Sequence, residues 1–219
     1  MINAALCGCW TKADAMKIIE SSYEIMSFTP DLEKLIELAG RVCYKSEERI
    51  TEGSHVPFIN RMHDSKHESV LEHGAITVRF ITDRGISHEM VRHRISSFSQ
   101  ESTRYCNYGK ADEITVIDPR VAFPDMTDRQ YQLWLYAMQE AEAKYMQLLD
   151  AGTAPQFARS VLPNSLKTEL VWTANPREWL HVFRLRASSK AHPQIRELMV
   201  PLLADFKTRW PAIFGGLMT

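Results

Sequence analysis

The sequence predicts one α/β or α+β domain, and three observations carry that reading. Residues 74–82 alternate like a half-buried strand, with Ile76, Val78 and Phe80 on one side and Thr77 and Arg79 on the other. The segments flanking it repeat apolar residues at spacings of three and four, as helices do. The chain has 219 residues, 45% hydrophobic and 24% charged, enough for one substantial core.

The elements follow in order. Residues 1–15 precede a second methionine and read as an extension peripheral to a domain spanning 16–219, or as the result of an alternative start. They lack the basic start and long apolar stretch of a secretory signal. Met16-Lys17-Ile18-Ile19 is strand-like. Residues 29–44 read as a helix, with Thr29 as cap, Pro30 in the first turn, and Leu32, Leu35, Ile36, Ala39 and Val42 on one face. Cys43 is placed in the core. A second helix covers about residues 56–66. Residues 85–94 form a third and deliver Arg92 and Arg94 to its C-terminal end.

The longest helix spans residues 128–150. Thr127 and Gln130 fit a capping box, and Gly152 suits the C-terminal cap. A short helix follows Pro155, and residues 166–173 suit a strand. Helices then cover about 176–188 and 194–209, the latter containing Pro201.

Composition excludes several classes. No apolar run reaches the length of a membrane span. Four scattered cysteines do not make a disulfide scaffold, so reduced thiols and a cytoplasmic location are expected. Charge is nearly balanced, with 26 Lys+Arg against 27 Asp+Glu, which argues against a dedicated nucleic-acid binder.

Local charge is not balanced. The run Arg92-His93-Arg94-Ile95-Ser96-Ser97-Phe98-Ser99-Gln100-Glu101-Ser102-Thr103-Arg104-Tyr105 holds three arginines, a histidine, four serines and an amide. Arginine's planar fork suits phosphate and carboxylate oxygens, and hydroxyls and amides add adjustable donors and acceptors. Such clusters also occur as solvated helix faces. Interleaved Glu89 and Glu101 in a neutral chain point instead to one small anionic ligand, such as a nucleotide.

The spacing is more specific than the composition. Arg92-His93-Arg94, seven residues and then Ser102 resembles the signature of the flavin-dependent thymidylate synthases. Two further blocks share the resemblance: His67-Glu68-Ser69-Val70-Leu71-Glu72-His73, and Arg159 with Asn175-Pro176-Arg177, His181 and Arg186. Together they cover roughly residues 30–200.

The resemblance implies an α/β (α+β) fold with a mixed, largely antiparallel sheet flanked by helices, assembled as a homotetramer. It implies reductive methylation of dUMP to dTMP, with 5,10-methylenetetrahydrofolate as carbon donor and NADPH, through FAD, as reductant. FAD falls to His67, Ser69, Glu72, Arg92, His93, Arg94, Gln100, Asn175, Arg177 and His181. The dUMP nucleotide falls to Glu89, Met90, Val91, Arg92, Gln100, Glu101, Ser102, Thr103, Arg104, Arg159 and Arg186. Arg186 is the catalytic candidate that polarises the uracil ring, and Ser102 orients the nucleotide rather than attacking it. No resident metal, nucleic acid or membrane partner is expected. The chain departs from common family patterns with Glu89 at a glutamine position, Ser99-Gln100 for an asparagine–glutamate pair, His181 at an asparagine position, and Lys190 where some members carry histidine.

Two rival readings remain at this point. His63 and His67, four apart with Asp64 and Glu72 nearby, could hold a metal in a nucleotide phosphohydrolase. The basic segment 84–104 could serve a non-catalytic nucleic-acid module.

Overall fold

The computed structural model describes residues 16–110 and 113–218, and residues 1–15 lie outside that description. A four-stranded antiparallel sheet organises the molecule. Its strands are β2 (Ser22–Phe28), β3 (Ile76–Asp83), β4 (Ser97–Gln100) and β6 (Lys167–Ala174), in the order β2-β3-β6-β4. A separate parallel pair joins β1 (Lys17–Ile19) to β5 (Thr115–Ile117). The expected mixed, largely antiparallel sheet flanked by helices is what forms.

Eight helices surround these strands among the described residues: α1 (Leu32–Tyr44), α2 (His55–Asp64), α3 (Arg84–Met90), α4 (Asp128–Asp150), α5 (Pro155–Ala158), α6 (Pro176–Arg186), α7 (Pro193–Arg209) and α8 (Pro211–Phe214). The alternation read in β3 is real: Ile76, Val78 and Phe80 are fully buried. They meet Leu170 and Trp172 of β6, and α1, α2, α6, α7 and α8 complete the main core. A smaller cluster gathers Ile114, Val116 and Leu166 under Met138 and Tyr145 of α4. The Thr127–Gln130 capping box forms, and Gly152 takes φ +81° just past the helix end.

Three expectations require correction. Thr29 does not cap a helix. β2 runs to Phe28, and Thr29 bonds Ala75 through its backbone N–H and its side chain, so the sheet edge claims it. The helix begins at Leu32, after Asp31 in the left-handed region. The phase of α1 also differs. Its buried stripe is Leu32, Ile36, Glu37, Gly40 and Arg41, while Val42 and Cys43 are exposed. Close approach of Phe58 at Gly40 turns the helix this way: a Cβ there would lie 2.5 Å from the Phe58 ring. A buried Glu37–Arg41 pair at 2.9 Å completes the stripe. Finally, α3 stops at Met90, so Arg92 and Arg94 lie in the turn beyond it and not on its last turn.

Candidate active site

The signature segment is placed by both of its ends. Asp83 caps α3 by accepting the Ile86 N–H at 2.7 Å. After α3 a tight turn carries Arg92–Arg94, and β4 then pairs with β6. Arg92 and Arg94 are exposed while His93 between them is buried. The His93 ring packs 5.4 Å from Trp172, which also meets Phe98 and Trp179. Alternation in a turn thus sends one ring into an aromatic floor and two cations outward.

Helix α6 approaches from the other side. Asn175 caps it, accepting the Glu178 N–H at 2.8 Å, and Pro176 fills its first turn. At its far end Arg186 is held three ways. Its Nε donates to His93 Nε2 at 3.1 Å, Nη1 to Glu89 Oε2 at 2.5 Å, and Nη2 to the Glu89 carbonyl at 3.2 Å. Among the described residues three of the five guanidinium N–H donors are thereby used, which leaves two for a ligand. Glu89 is therefore a partner of Arg186 as well as a nucleotide candidate.

Proton placement follows. Arginine only donates, so His93 Nε2 must accept and its proton must sit on Nδ1. That nitrogen faces Glu178 Oε1 at 3.3 Å. A neutral ring thus presents an N–H toward the Glu178 carboxyl, within polar contact distance, rather than the charge of an ion pair. Burial, then Arg186 and His181, pull the His93 pKa down to about 4. Burial pushes the Glu178 carboxyl up.

The loop after β4 is tied down from within. Gln100 Nε2 donates to Ser87 at 2.8 Å and Thr168 at 3.2 Å. Glu101 accepts from Lys167 at 3.1 Å and from the Tyr108 hydroxyl at 2.9 Å. Burial and then Glu101 raise the Tyr108 pKa. Ser102 Oγ accepts the Arg104 N–H at 3.3 Å. Thr103 is buried and accepts from Arg159 Nη1 at 2.9 Å, joining the loop to the segment after α5. Arg104 is exposed above the Tyr105 ring. Met90 is fully buried and Val91 packs against the core, so those two residues offer a ligand little side chain.

A second patch lies along the start of α6. Arg177 pairs with Glu72 and, at 3.7 Å, with Glu68, which Arg184 also meets at 3.3 Å. His67 and Ser69 are exposed beside it, with His67 Nδ1 3.2 Å from the Tyr44 hydroxyl. The His181 ring lies 5.7 Å from His93 and so bridges the patch to the buried histidine.

The His63, His67, Asp64 and Glu72 metal set does not assemble. His63 is half-buried beside the Ile213 backbone, His67 turns to Tyr44, and Glu72 is taken by Arg177. Among the described residues the ligand atoms that converge, within 4.8 Å, belong to His93, Glu178 and His181. A metal on His93 Nδ1 would move the proton to Nε2, where it would oppose the Arg186 N–H. The arrangement therefore favours a proton at Nδ1. Glu178, Lys167 and Tyr108 escaped the sequence reading. Glu178 three residues after Asn175 reads as half of a capping box, yet its carboxylate turns to His93.

Residues 24–212 match the family model described as thymidylate synthase complementing protein, Thy1. This chain belongs to that family. It is 35% identical over 197 residues to a flavin-dependent thymidylate synthase of Geobacter sulfurreducens, covering 87% of this chain and 84% of the relative. A flavin-dependent thymidylate synthase of Corynebacterium glutamicum is 31% identical over 236 residues, covering 93% and 91%. One of Mycobacterium tuberculosis is 33% identical over 197 residues, covering 83% and 78%. Among solved structures, a UMP/dUMP methylase, PolB, from Streptomyces cacaoi bound with 5-Br dUMP superposes with a TM-score of 0.76. It is 23% identical and covers 91% of this chain and 96% of its own, a likeness of fold. The Thy1 match spans the signature and α6, so every candidate residue named above lies within it.

Proposed function

We propose that this Thy1 member is a flavin-dependent thymidylate synthase. It methylates dUMP reductively to dTMP, taking the carbon from 5,10-methylenetetrahydrofolate and electrons from NADPH through FAD. The observation that carries the reading is the Arg186 guanidinium. Glu89 and His93 hold it beside the exposed signature, with two donors uncommitted among the described residues. Relatives named flavin-dependent thymidylate synthase and a fold shared with a dUMP methylase support the same reading.

The residues present fit FAD. The cofactor carries a pyrophosphate and, when reduced, negative charge near N1. The chain offers Arg92 and Arg94, exposed and, among the described residues, without a carboxylate within ion-pair distance. Arg177, His67, Ser69, Asn175 and His181 line the adjoining patch; Arg177 is already balanced by Glu72 and Glu68, and Asn175 has committed its carbonyl oxygen to its helix. When bound, FAD supplies the hydride that NADPH delivers.

The chain's own contribution is electrostatic and positional. Methylation at uracil C5 needs electron density there, which an arginine at the N3/O4 edge favours by stabilising the ionised ring. Arg186 suits that role because it stays charged at working pH. One such donor commonly lowers the barrier by about 3 kcal/mol. Arg104 and Arg159 suit the phosphate. Ser102 orients the nucleotide. Among the described residues its hydroxyl meets a backbone N–H and no base, so none of them activates it as a nucleophile.

The candidate residues lie on an open face, which a flat dinucleotide cannot fill alone. Homotetramer assembly, with sites shared between copies, supplies the missing walls in this reading. The catalytic unit is residues 16–219, it works with reduced thiols in the cytoplasm, and a protein beginning at Met16 keeps its turnover.

The visible spectrum tests the cofactor. Purified protein should show the absorption of oxidised flavin, bleached by NADPH under anaerobic conditions. Colourless protein that takes up no added FAD would defeat the proposal.

A further inference from the structure

We infer that Glu178 is a positioning residue of this site: its carboxylate accepts the His93 Nδ1–H, fixing the ring in the tautomer whose Nε2 holds Arg186. The inference rests on the function proposed above for what Arg186 does, but the hydrogen-bond relay itself does not.

Glu178 has the burial of a core residue and the chemistry of a surface one. It is 7% exposed and sits next to Trp179 and Leu180 on the buried side of α6. A carboxylate in such a place costs stability unless it is hydrogen-bonded, and an apolar residue would pack as well without the cost. Capping does not account for it. Asn175 already accepts the Glu178 N–H, and the Glu178 side chain goes to His93 instead. The His93 and Glu178 side chains are 4% and 7% exposed, so their 3.3 Å contact is shielded from water.

Glu178 and Arg186 stand about two turns apart on α6. They flank the two nitrogens of His93: Arg186 donates to Nε2 at 3.1 Å, and the Glu178 carboxylate stands 3.3 Å from Nδ1. A neutral imidazole satisfies both only with its proton on Nδ1. Were the proton on Nε2, it would face an arginine N–H, and His93 would push Arg186 off its place. The chain Glu178–His93–Arg186–Glu89 thus fixes the guanidinium from a helix start far from the substrate edge. Glu178 touches no reacting atom and acts through His93.

Two substitutions separate this from packing. Glu178→Gln keeps an acceptor of the same shape, and Glu178→Leu keeps volume without one. In the ligand-free protein, nitrogen NMR should show His93 protonated at Nδ1 in wild type and Glu178→Gln, and a mixture of tautomers in Glu178→Leu. Outer partners of histidines at metal sites carry about 10- to 100-fold of affinity or activity. Glu178→Leu should lower kcat for dUMP by a similar factor, with KM and retained FAD little changed, and Glu178→Gln should restore most of it. In a His93→Gln background, Glu178→Leu should cost almost nothing further, because the residue it acts through is gone.

A His93 proton on Nε2 in wild type would overturn the inference. So would full kcat in Glu178→Leu, or Glu178→Gln as impaired as Glu178→Leu. The NMR arm needs no turnover, so the relay stands or falls on it even if wild type makes no dTMP.

Discussion

Arg186 and His93 define the site at the scale of single residues. Arg186→Lys keeps the charge and loses the fork that reaches His93, the Glu89 carboxylate and the Glu89 carbonyl. Both Arg186→Lys and Arg186→Ala should cut kcat by about 100-fold or more, the loss of roughly 3 kcal/mol from one aimed donor. Flavin content should stay near wild type. Steady-state kinetics with saturating FAD and dUMP measure this, and unchanged turnover in Arg186→Ala removes the role. His93 adds a pH dependence. Its folded pKa of about 4 lies below the ordinary 6.5, so the unfolded chain binds the extra proton first. The stability tied to its neutral form is present above pH 6.5 and is lost as pH falls toward 4. The loss is at most about 3 kcal/mol. Urea melts at pH 7 and pH 5 should show a smaller difference in His93→Gln than in wild type, and equal differences would refute the assignment. The motif made Arg92, His93, Ser102 and Arg186 legible in the sequence. Glu178 and Lys167 were not, because each finds its partner, His93 or Glu101, over 60 residues away, and no local spacing encodes that meeting.

Among the elements, those governed by local chemistry were readable. The Thr127–Gln130 box, Pro155 and Pro176 at helix starts, and the alternation of β3 all appear where the residues place them. The elements decided by distant contacts were not. β2 pairs with β3 through a bulge between Ile25 and Ser27, which blurs its alternation. β5 is only three residues long and is held by β1, from far up the chain. The phase of α1 was set by Phe58 at Gly40, a fit that hydrophobic periodicity does not register. The same logic shortened α3. Its Asp83 cap fixes the start, and His93 entering the core over Trp172 breaks the helix before the arginines. That break matters chemically, since a continued helix would turn Arg92 and Arg94 about 200° apart around its axis, whereas the turn leaves both exposed on either side of a buried His93.

At the scale of the whole molecule, the sheet brings β4 and the start of α6 together through β6. This brings Arg92 and Arg177, 85 positions apart in the sequence, onto one face. That face is open in one copy of the chain, with Arg92, Arg94, Arg104, Arg159, Arg177 and His181 all exposed. If sites form between copies, FAD binding and assembly are linked, because a ligand bound by the assembled form stabilises it. Sedimentation of dilute protein should shift toward the tetramer on adding FAD, whereas a monomer with full turnover would contradict shared sites. The central claim is tested most directly by the reaction itself. Purified protein is incubated with dUMP, 5,10-methylenetetrahydrofolate, NADPH and FAD, and the nucleotide product is identified by mass spectrometry, with each component omitted in turn. The account predicts dTMP from the complete mixture and none when folate or reductant is left out. No dTMP from the complete mixture, or dTMP formed without any flavin, would contradict it.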